Sequence, residues 1–154
     1  MSRHQWSLLN KQQVGTYAEY FVKMELTMYG FEVYDSEVDD RGIDFVARKR
    51  PGPYFEVQVK SVRDYSYVFM QKTKFALQDN LFLALALMFE DKLPNLFLIP
   101  ATTWLAPNEV FVDRKYEGKK SRPEWGVNIS RKNMSLLQPF SFDATVEALG
   151  ARRE

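Results

Sequence analysis

Two side chains that often carry enzyme chemistry are almost missing from this sequence. The 154-residue chain has no cysteine and one histidine, His4. Without cysteine there are no disulfide bonds and no cysteine-ligated zinc sites, and such a composition is typical of a reducing cytosol, so a cytoplasmic location is expected. Because His4 stands near the start of the chain, catalysis by a Ser-His-Asp triad is not expected.

Long apolar runs and a large excess of charge of one sign are missing as well. The longest apolar run, residues 81–89, is too short to span a bilayer, and the opening residues lack the apolar stretch of a signal peptide, so no membrane association is expected. The net charge of +1 is not the basic balance of a strong non-specific DNA binder. Binding to nucleic acid would therefore depend on local patches of charge.

What the sequence does have is an ordinary globular composition, with 45% hydrophobic and 27% charged residues. This length and composition predict one domain over residues 1–154.

The run over 80–90 is rich in Leu and Ala, which also suit a helix, and we interpret it as a buried strand. The predicted elements are a helix over 10–29 capped by Asn10 and followed by Gly30, strands over 31–38, 80–90, 95–100 and 125–130, a helix over 66–79, a helical turn at Trp104 and a closing helix over 142–149.

The central segment, RGIDFVARKRPGPYFEVQVKSVR over residues 41–63, predicts two β-strands joined by a tight Pro-Gly turn. Successive side chains of a strand point to opposite faces, so Glu56, Gln58 and Lys60 project together. The apolar residues between them face the other way, as do those that flank Asp44 on the first strand. The hairpin is therefore predicted to have one apolar face and one face with an acid, an amide and an amine.

The register of this hairpin follows from the turn. A three-residue loop over 50–52, with Gly52 in the left-handed conformation, places Asp44 directly opposite Gln58. A slide of two residues places Asp44 opposite Lys60 instead. In either register the carboxylate, the amide oxygen and the ammonium group meet within a short distance.

The motif GID that ends at Asp44, followed by a hairpin and the motif QVK from Gln58 to Lys60, resembles the PD-(D/E)XK nuclease superfamily, which includes type II restriction enzymes and archaeal Holliday-junction resolvases. It is most similar to variants in which glutamine replaces the second acid, as in some modification-dependent restriction endonucleases. The family often carries a glutamate on the preceding helix, and Glu19 in GTYAE matches it. The chain departs from the pattern in lacking a proline before Asp44 and in having Gln58 at the second acid.

The resemblance implies an α/β (α+β) fold with a restriction endonuclease-like core. In that core a central mixed β-sheet is flanked by helices in the order αβββαβ. The matching core spans about residues 10–100, with a C-terminal extension over 101–154. It further implies a metal-dependent nuclease that hydrolyses phosphodiester bonds of nucleic acid, with DNA as the expected partner, in repair, restriction or defence. A homodimer is compatible with cutting two strands, although no sequence feature fixes an interface.

The implied chemistry needs Mg²⁺ or Mn²⁺ to neutralise phosphate charge and to lower the pKa of an attacking water. Magnesium accepts one or two carboxylates with waters and phosphate oxygens. The resemblance assigns Asp44, Gln58 and Glu19 as ligands, and Lys60 as the group that orients the water or stabilises developing charge. Glu56 is a further catalytic candidate if the strand twists it inward.

Each of these residues also has a structural interpretation. Glu19 fits an exposed carboxylate on a helix, and the polar residues around Gln58 fit the solvated face of an amphipathic strand. The acids Asp39 and Asp40 fit a solvated turn, with an auxiliary metal site as the alternative. At the level of the whole chain, the alternatives are a catalytically inactive nuclease-fold module that binds nucleic acid or a protein partner, and an unrelated small α+β protein.

Two groups of cations are candidate nucleic-acid contacts. The first lies on the predicted helix over 66–79, and the second lies in a charged loop over 113–124, where Tyr116 would stack on a base. A solvated helix face and a mobile loop are the alternatives. The candidate residues are Lys72, Lys74, Arg114, Lys115, Lys119 and Lys120.

Overall fold

The computed structural model describes residues 3–37 and 42–150. Within these ranges the strands are β1 (Glu32–Asp35), β2 (Phe45–Arg48), β3 (Phe55–Arg63), β4 (Tyr67–Gln71), β5 (Leu81–Met88), β6 (Asn95–Pro100), β7 (Phe111–Arg114) and β8 (Glu124–Asn128). The α-helices are α1 (Lys11–Met28), α2 (Met134–Leu137) and α3 (Phe142–Gly150), and short 3₁₀ turns lie at Trp6–Leu8, Lys72–Lys74, Ala101–Leu105 and Gln138–Phe140. No helix of the described ranges is long and apolar enough to cross a membrane.

Helix α1 has the boundaries that its cap residues predict. The Asn10 side chain accepts a hydrogen bond from the Gln13 N–H at 2.8 Å, and the Gln13 side chain accepts one from the Asn10 N–H at 2.9 Å. This capping box satisfies two of the backbone donors that a helix start leaves without partners. At the other end Gly30 has a φ of +88°, which a glycine adopts without steric cost. The predicted helix is confirmed.

The strands form two sheets, and the predicted fold class is confirmed. The larger sheet has the order β1-β2-β3-β5-β6 and is mixed, because β3 and β5 are parallel whereas the other neighbours are antiparallel. Helices α1 and α3 pack on one face of it. A second antiparallel sheet, β4-β8-β7, packs on the other face. All residues of β5 are buried between these two cores, which agrees with the interpretation of residues 80–90 as a strand.

The predicted helix over 66–79 is wrong. This segment forms β4 and a 3₁₀ turn instead. Val68 and Met70 are buried whereas Phe69 between them is exposed, which is the two-residue alternation of a strand. Pairing with β8, which lies more than 50 residues further along the chain, overrides the local helical preference. The predicted αβββαβ order therefore has a strand where its second helix was expected.

The register of the central hairpin follows the prediction. Phe45 pairs with Val57 and Ala47 with Phe55, so the next position of the ladder places Asp44 opposite Gln58. The predicted turn is wrong in one detail, because Gly52 is not among the residues with positive φ. The turn closes through a hydrogen bond of 2.7 Å from the Gly52 N–H to the Lys49 carbonyl oxygen.

The other short elements agree with the sequence. Strands β1, β6 and β8, the helical turn that contains Trp104 and the closing helix α3 lie within one to three residues of their predicted ends. The end of the first predicted strand, Val38, and the acidic pair Asp39 and Asp40 lie outside the described residues.

Gly42 of the GID motif is held by two constraints. Its φ is +78°, and a Cβ atom built on it would lie 3.0 Å from the Lys74 carbonyl oxygen and 3.2 Å from the Lys74 Cβ. The close approach joins the start of β2 to the segment that follows β4. Gly15, by contrast, has negative φ within α1, and an added Cβ would meet no atom of the described residues within 4 Å.

We expect Gly42→Ala to lower the free energy of unfolding by about 1–3 kcal/mol, because alanine meets both a positive φ and the Lys74 backbone. Urea denaturation monitored by circular dichroism measures the change. Gly15→Ala is the matched control, and it should raise the free energy of unfolding by about 0.5–1 kcal/mol through higher helix propensity. Equal stability of Gly42→Ala and the wild type would show that this glycine is not constrained.

Candidate active site

A cleft of about 560 Å³ lies between β3 and β4 and extends to the start of α1. We call it the β3–β4 cleft. Gln58 and Lys60 of β3 line it, as does Lys74 after β4. The side chains of Gln58 and Lys60 lie on the same side of β3 because the two residues are two positions apart. The volume is within the range of ligand-binding clefts.

The side chain of Gln58 is buried without full hydrogen bonding. Gln58 is 8% exposed, and its Oε1 atom has no hydrogen-bond partner in the described part of the chain. A buried polar atom without a partner costs about 1–3 kcal/mol, so native structures seldom keep one without a reason. This carbonyl oxygen is therefore a candidate ligand atom.

Asp44 contacts the backbone on both sides of Gln58. Its N–H donates to the Val57 carbonyl oxygen at 2.9 Å, and its carboxylate oxygen Oδ2 accepts from the Val59 N–H at 2.6 Å. The carboxylate thus extends the hydrogen bonding between β2 and β3 by one step beyond the end of β2. A carboxylate has two oxygens and about four acceptor sites, so this bond is compatible with a further role as a metal ligand.

The β3–β4 cleft is strongly cationic although the chain is nearly neutral. Lys11, Lys60, Arg63 and Lys74 line it, and no acidic side chain of the described residues does. The Arg63 guanidinium is held in place by the carbonyl oxygens of two residues before α1, at 2.6 and 3.1 Å. This lining suits a polyanion such as a phosphodiester backbone.

The segment that holds Arg63 is itself attached to the turn between β5 and β6. The Trp6 indole N–H lies 3.0 Å from the Phe89 carbonyl oxygen and 3.1 Å from that of Lys92. The Asp91 N–H donates to the His4 carbonyl oxygen at 2.8 Å. The single histidine thus contributes its backbone to a structural contact.

The structure does not bring Glu19 or Glu56 into the cleft, as far as its described residues show. Glu19 pairs with Lys23 at 3.1 Å, and Lys23 pairs in turn with Asp35 at 2.6 Å. Burial lowers the pKa of Lys23, but the hydrogen bonds to these two carboxylates outweigh it and raise the pKa above its usual value. Glu56 accepts a hydrogen bond from Gln78 at 3.3 Å. The candidate site therefore combines Gln58 and Lys60, which line the cleft, with Asp44, which does not line it but accepts a hydrogen bond from the Val59 N–H between them.

The candidate nucleic-acid contacts fall into two classes. Lys72 forms an ion pair with Asp113, and its Nζ atom lies 4.0 Å from the centre of the Trp125 ring. The charge of Lys72 therefore interacts with other residues of the protein. Arg114 lies over the ring of Tyr67. The remaining candidates are exposed. Lys74 lines the cleft, and Lys115, Lys119 and Lys120 lie in the loop between β7 and β8.

Sequence reasoning missed several residues of the cleft. Lys11 and Arg63 were not singled out, because nothing in their local sequence shows that α1 begins beside the end of β3. Tyr67 and Phe69 were assigned to a helix. The alternation of buried and exposed residues in YVFMQ was the signal that would have placed both rings on one side of a strand.

The donor atoms at the site fit a hard divalent cation. The carbonyl oxygen of Gln58 has no partner among the described residues, and the strand register places Asp44 opposite Gln58. Magnesium binds oxygen atoms from one or two protein groups while it keeps several waters. No cluster of three or more acidic or histidine side chains able to hold a metal occurs in the described ranges. The protein would thus supply few ligands, with water and phosphate oxygens as the others.

No family model matches the chain, and no curated protein sequence matches it. Among solved structures, the chain is similar to Hjc of Archaeoglobus fulgidus, which is described as a Holliday junction resolvase from an archaeal hyperthermophile. The TM-score is 0.54 at 14% identity, over 86% of this chain and 95% of that chain. The chain therefore has the fold of this resolvase, which agrees with the predicted mixed sheet flanked by helices.

Proposed function

We propose that the chain is a metal-dependent nuclease that hydrolyses phosphodiester bonds of DNA. The observation that carries this proposal is the orphaned Gln58 carbonyl oxygen, which lies on the same strand face as Lys60 in a cationic cleft and opposite Asp44 in the strand register. The resolvase activity in the name of the similar structure supports DNA as the substrate. Repair, restriction and defence are the processes in which such an activity would serve.

Asp44 and Gln58 would hold Mg²⁺ or Mn²⁺, which when bound neutralises phosphate charge and acidifies water. Glu19 stays a proposed further ligand, and it has to leave Lys23 to reach the cleft. Glu56 stays a proposed catalytic residue that would have to turn away from Gln78.

The basic side chains of the cleft have different roles in this proposal. Lys60, two residues from Gln58 on the same face of β3, stabilises the negative charge that develops on the phosphate and orients the attacking water. Lys11, Arg63 and Lys74 bind the flanking phosphates. Because Arg63 is fixed by two backbone carbonyls, it positions the strand with little loss of side-chain entropy.

The remaining expectations are part of the same proposal. The chain acts as one domain over 1–154, and residues beyond 100 contribute to its core, since β8 pairs with β4. The three exposed lysines of the loop between β7 and β8 contact nucleic acid outside the cleft. A homodimer that cuts two strands and a cytoplasmic location complete the proposal.

A second candidate function is a nuclease-fold module that binds nucleic acid or a protein partner without cleavage. Gln58 in place of an acid favours it, since an amide oxygen attracts a cation less than a carboxylate does. The lack of a three-acid cluster in the described ranges favours it as well. Metal binding and cleavage measured on the same preparation separate the two functions.

Asp44→Asn and Asp44→Ala should both abolish cleavage, while differing in stability. Asparagine keeps an oxygen that can accept the Val59 N–H, so its free energy of unfolding should stay within about 1 kcal/mol of the wild type, whereas alanine leaves that donor unpaired and should cost about 1–3 kcal/mol. Cleavage of a labelled oligonucleotide with Mn²⁺ and urea denaturation measure the two effects. Full cleavage by Asp44→Asn would reduce the role of Asp44 to its hydrogen bond.

Gln58→Glu should bind Mn²⁺ at least about tenfold more tightly than the wild type, equivalent to ~1.4 kcal/mol, because a carboxylate replaces the orphaned amide oxygen. Calorimetry measures the affinity directly. The melting temperature should fall without metal, because an unpaired carboxylate is buried, and should recover when Mn²⁺ is added. Gln12→Glu, an exposed change on α1 outside the cleft, is the matched control. If both variants bind the metal as the wild type does, Gln58 does not face a metal.

Lys60→Met should lower kcat for cleavage by about 10²- to 10³-fold while Mn²⁺ affinity stays at or above that of the wild type, because Lys60 acts on the phosphate and not on the metal. Lys74→Met on the facing wall is the comparison, and it should raise KM and leave kcat nearly unchanged. Steady-state kinetics on a short duplex and on a single strand measure both parameters. Equal kcat values for Lys60→Met and the wild type would contradict the assignment.

A further inference from the structure

The β4 side of the β3–β4 cleft carries two aromatic residues with no part in the proposed cleavage chemistry. Tyr67 and Phe69 lie two residues apart on β4, and both line the cleft. Their ring planes differ by 18° and their centroids are 6.2 Å apart, so the two flat surfaces are nearly parallel. Phe69 is 45% exposed, which leaves much of its ring available for contact.

The ring of Tyr67 is held in a fixed place. Its hydroxyl donates a hydrogen bond to Glu124, which is 6% exposed, and the guanidinium of Arg114 lies 4.3 Å from the ring centre. A Cβ atom added to Gly126 would lie 2.1 Å from the same hydroxyl, so the ring depends on glycine at that position of β8. Burial and the bond to Glu124 raise the pKa of Tyr67, which keeps the phenol neutral.

These rings share the cleft with four cations and, within the described residues, with no acid. A ligand that matches this lining has flat apolar faces and closely spaced negative charges. A nucleic-acid strand has both, in its bases and its phosphates. Aromatic rings beside a cationic groove are the arrangement by which proteins bind single strands, because every base offers a π face.

We propose that Phe69 and Tyr67 form a stacking platform for an unpaired nucleobase, so that the cleft takes a single-stranded or locally unpaired segment. In a continuous duplex each base is covered by its neighbours, and a side chain can stack on it only after the base has left the helix. The inference rests on the proposed function for the strand in the cleft. It adds the substrate class, which is nucleic acid with unpaired bases and not an uninterrupted duplex.

The test is a binding measurement in a chelator, so that no cleavage takes place. The probe is a short DNA strand that carries the fluorescent base 2-aminopurine, alone or fully paired with its complement. The wild type should bind the single strand more tightly and quench its fluorescence by stacking. Phe69→Leu should weaken this binding by about 5- to 100-fold and abolish the quenching.

Two further readouts distinguish stacking from a general structural effect. The slope of log Kd against log salt should be the same for Phe69→Leu and the wild type, because the phosphate contacts remain, whereas Lys74→Met should lower the slope by about 0.7. Tyr54→Leu is the matched control, since Tyr54 is 49% exposed in the turn between β2 and β3 and does not line the cleft. It should bind the probe as the wild type does.

The inference is overturned if Phe69→Leu binds and quenches as the wild type does, or if the wild type binds the paired probe at least as tightly as the single strand. Neither result depends on cleavage, because the assay contains no metal. Loss of the nuclease proposal would instead show as no cleavage of any strand by the wild type with Mn²⁺. The two proposals therefore fail in different experiments.

Discussion

The parallel pairing of β3 with β5 is the constraint on which the site depends. The two strands pair along their length from Glu56 with Leu81 to Arg63 with Met88. Parallel neighbours cannot be joined by a tight turn, so the chain has to leave the sheet and return. In this protein the connection contains β4 where a helix is more usual, and β4 pairs with β8. The connection thereby brings the second sheet to the face of β3 that bears Gln58 and Lys60.

Burial on both faces makes the larger sheet a rigid support for that face. The residues of β5 lie between the α1 and α3 side and the second sheet, and its alternate side chains enter two separate cores. Each buried leucine contributes about 1.5–3 kcal/mol relative to an exposed one. Beside this apolar strand, β3 keeps Gln58 buried with an unpaired oxygen, a cost that the surrounding core has to outweigh. Polar groups retained at such a cost are more often functional than structural.

The sequence was sufficient where local rules decide the structure. Asn10 and its capping box located α1. The apolar alternation placed Asp44 on the face of Gln58 and Lys60, and of the two registers left open, the one set by a three-residue loop is the one observed. The sequence was insufficient where pairing with a distant segment decides the secondary structure. Residues 66–79 were expected to form a helix, but part of this segment forms strand β4 because it pairs with β8. The Gln58 oxygen lacks a partner and Glu19 pairs with Lys23 because of where their side chains lie in the folded protein. Residue spacing in the sequence does not predict these positions. The roles assigned to these residues stay predictions.

The attachment of the first residues to the turn between β5 and β6 has a consequence for the order in which the fold forms. Trp6 and His4 bond to residues more than 80 positions later, and Arg63 is held by the same early segment. During synthesis this segment leaves the ribosome before its partners, which are complete only when the chain has passed residue 92. Contacts of such long sequence separation are slow to form. The segment around Trp6 is therefore expected to dock only after residues 89–92 have been made, and its docking gives Arg63 the carbonyl oxygens that fix it beside the cleft.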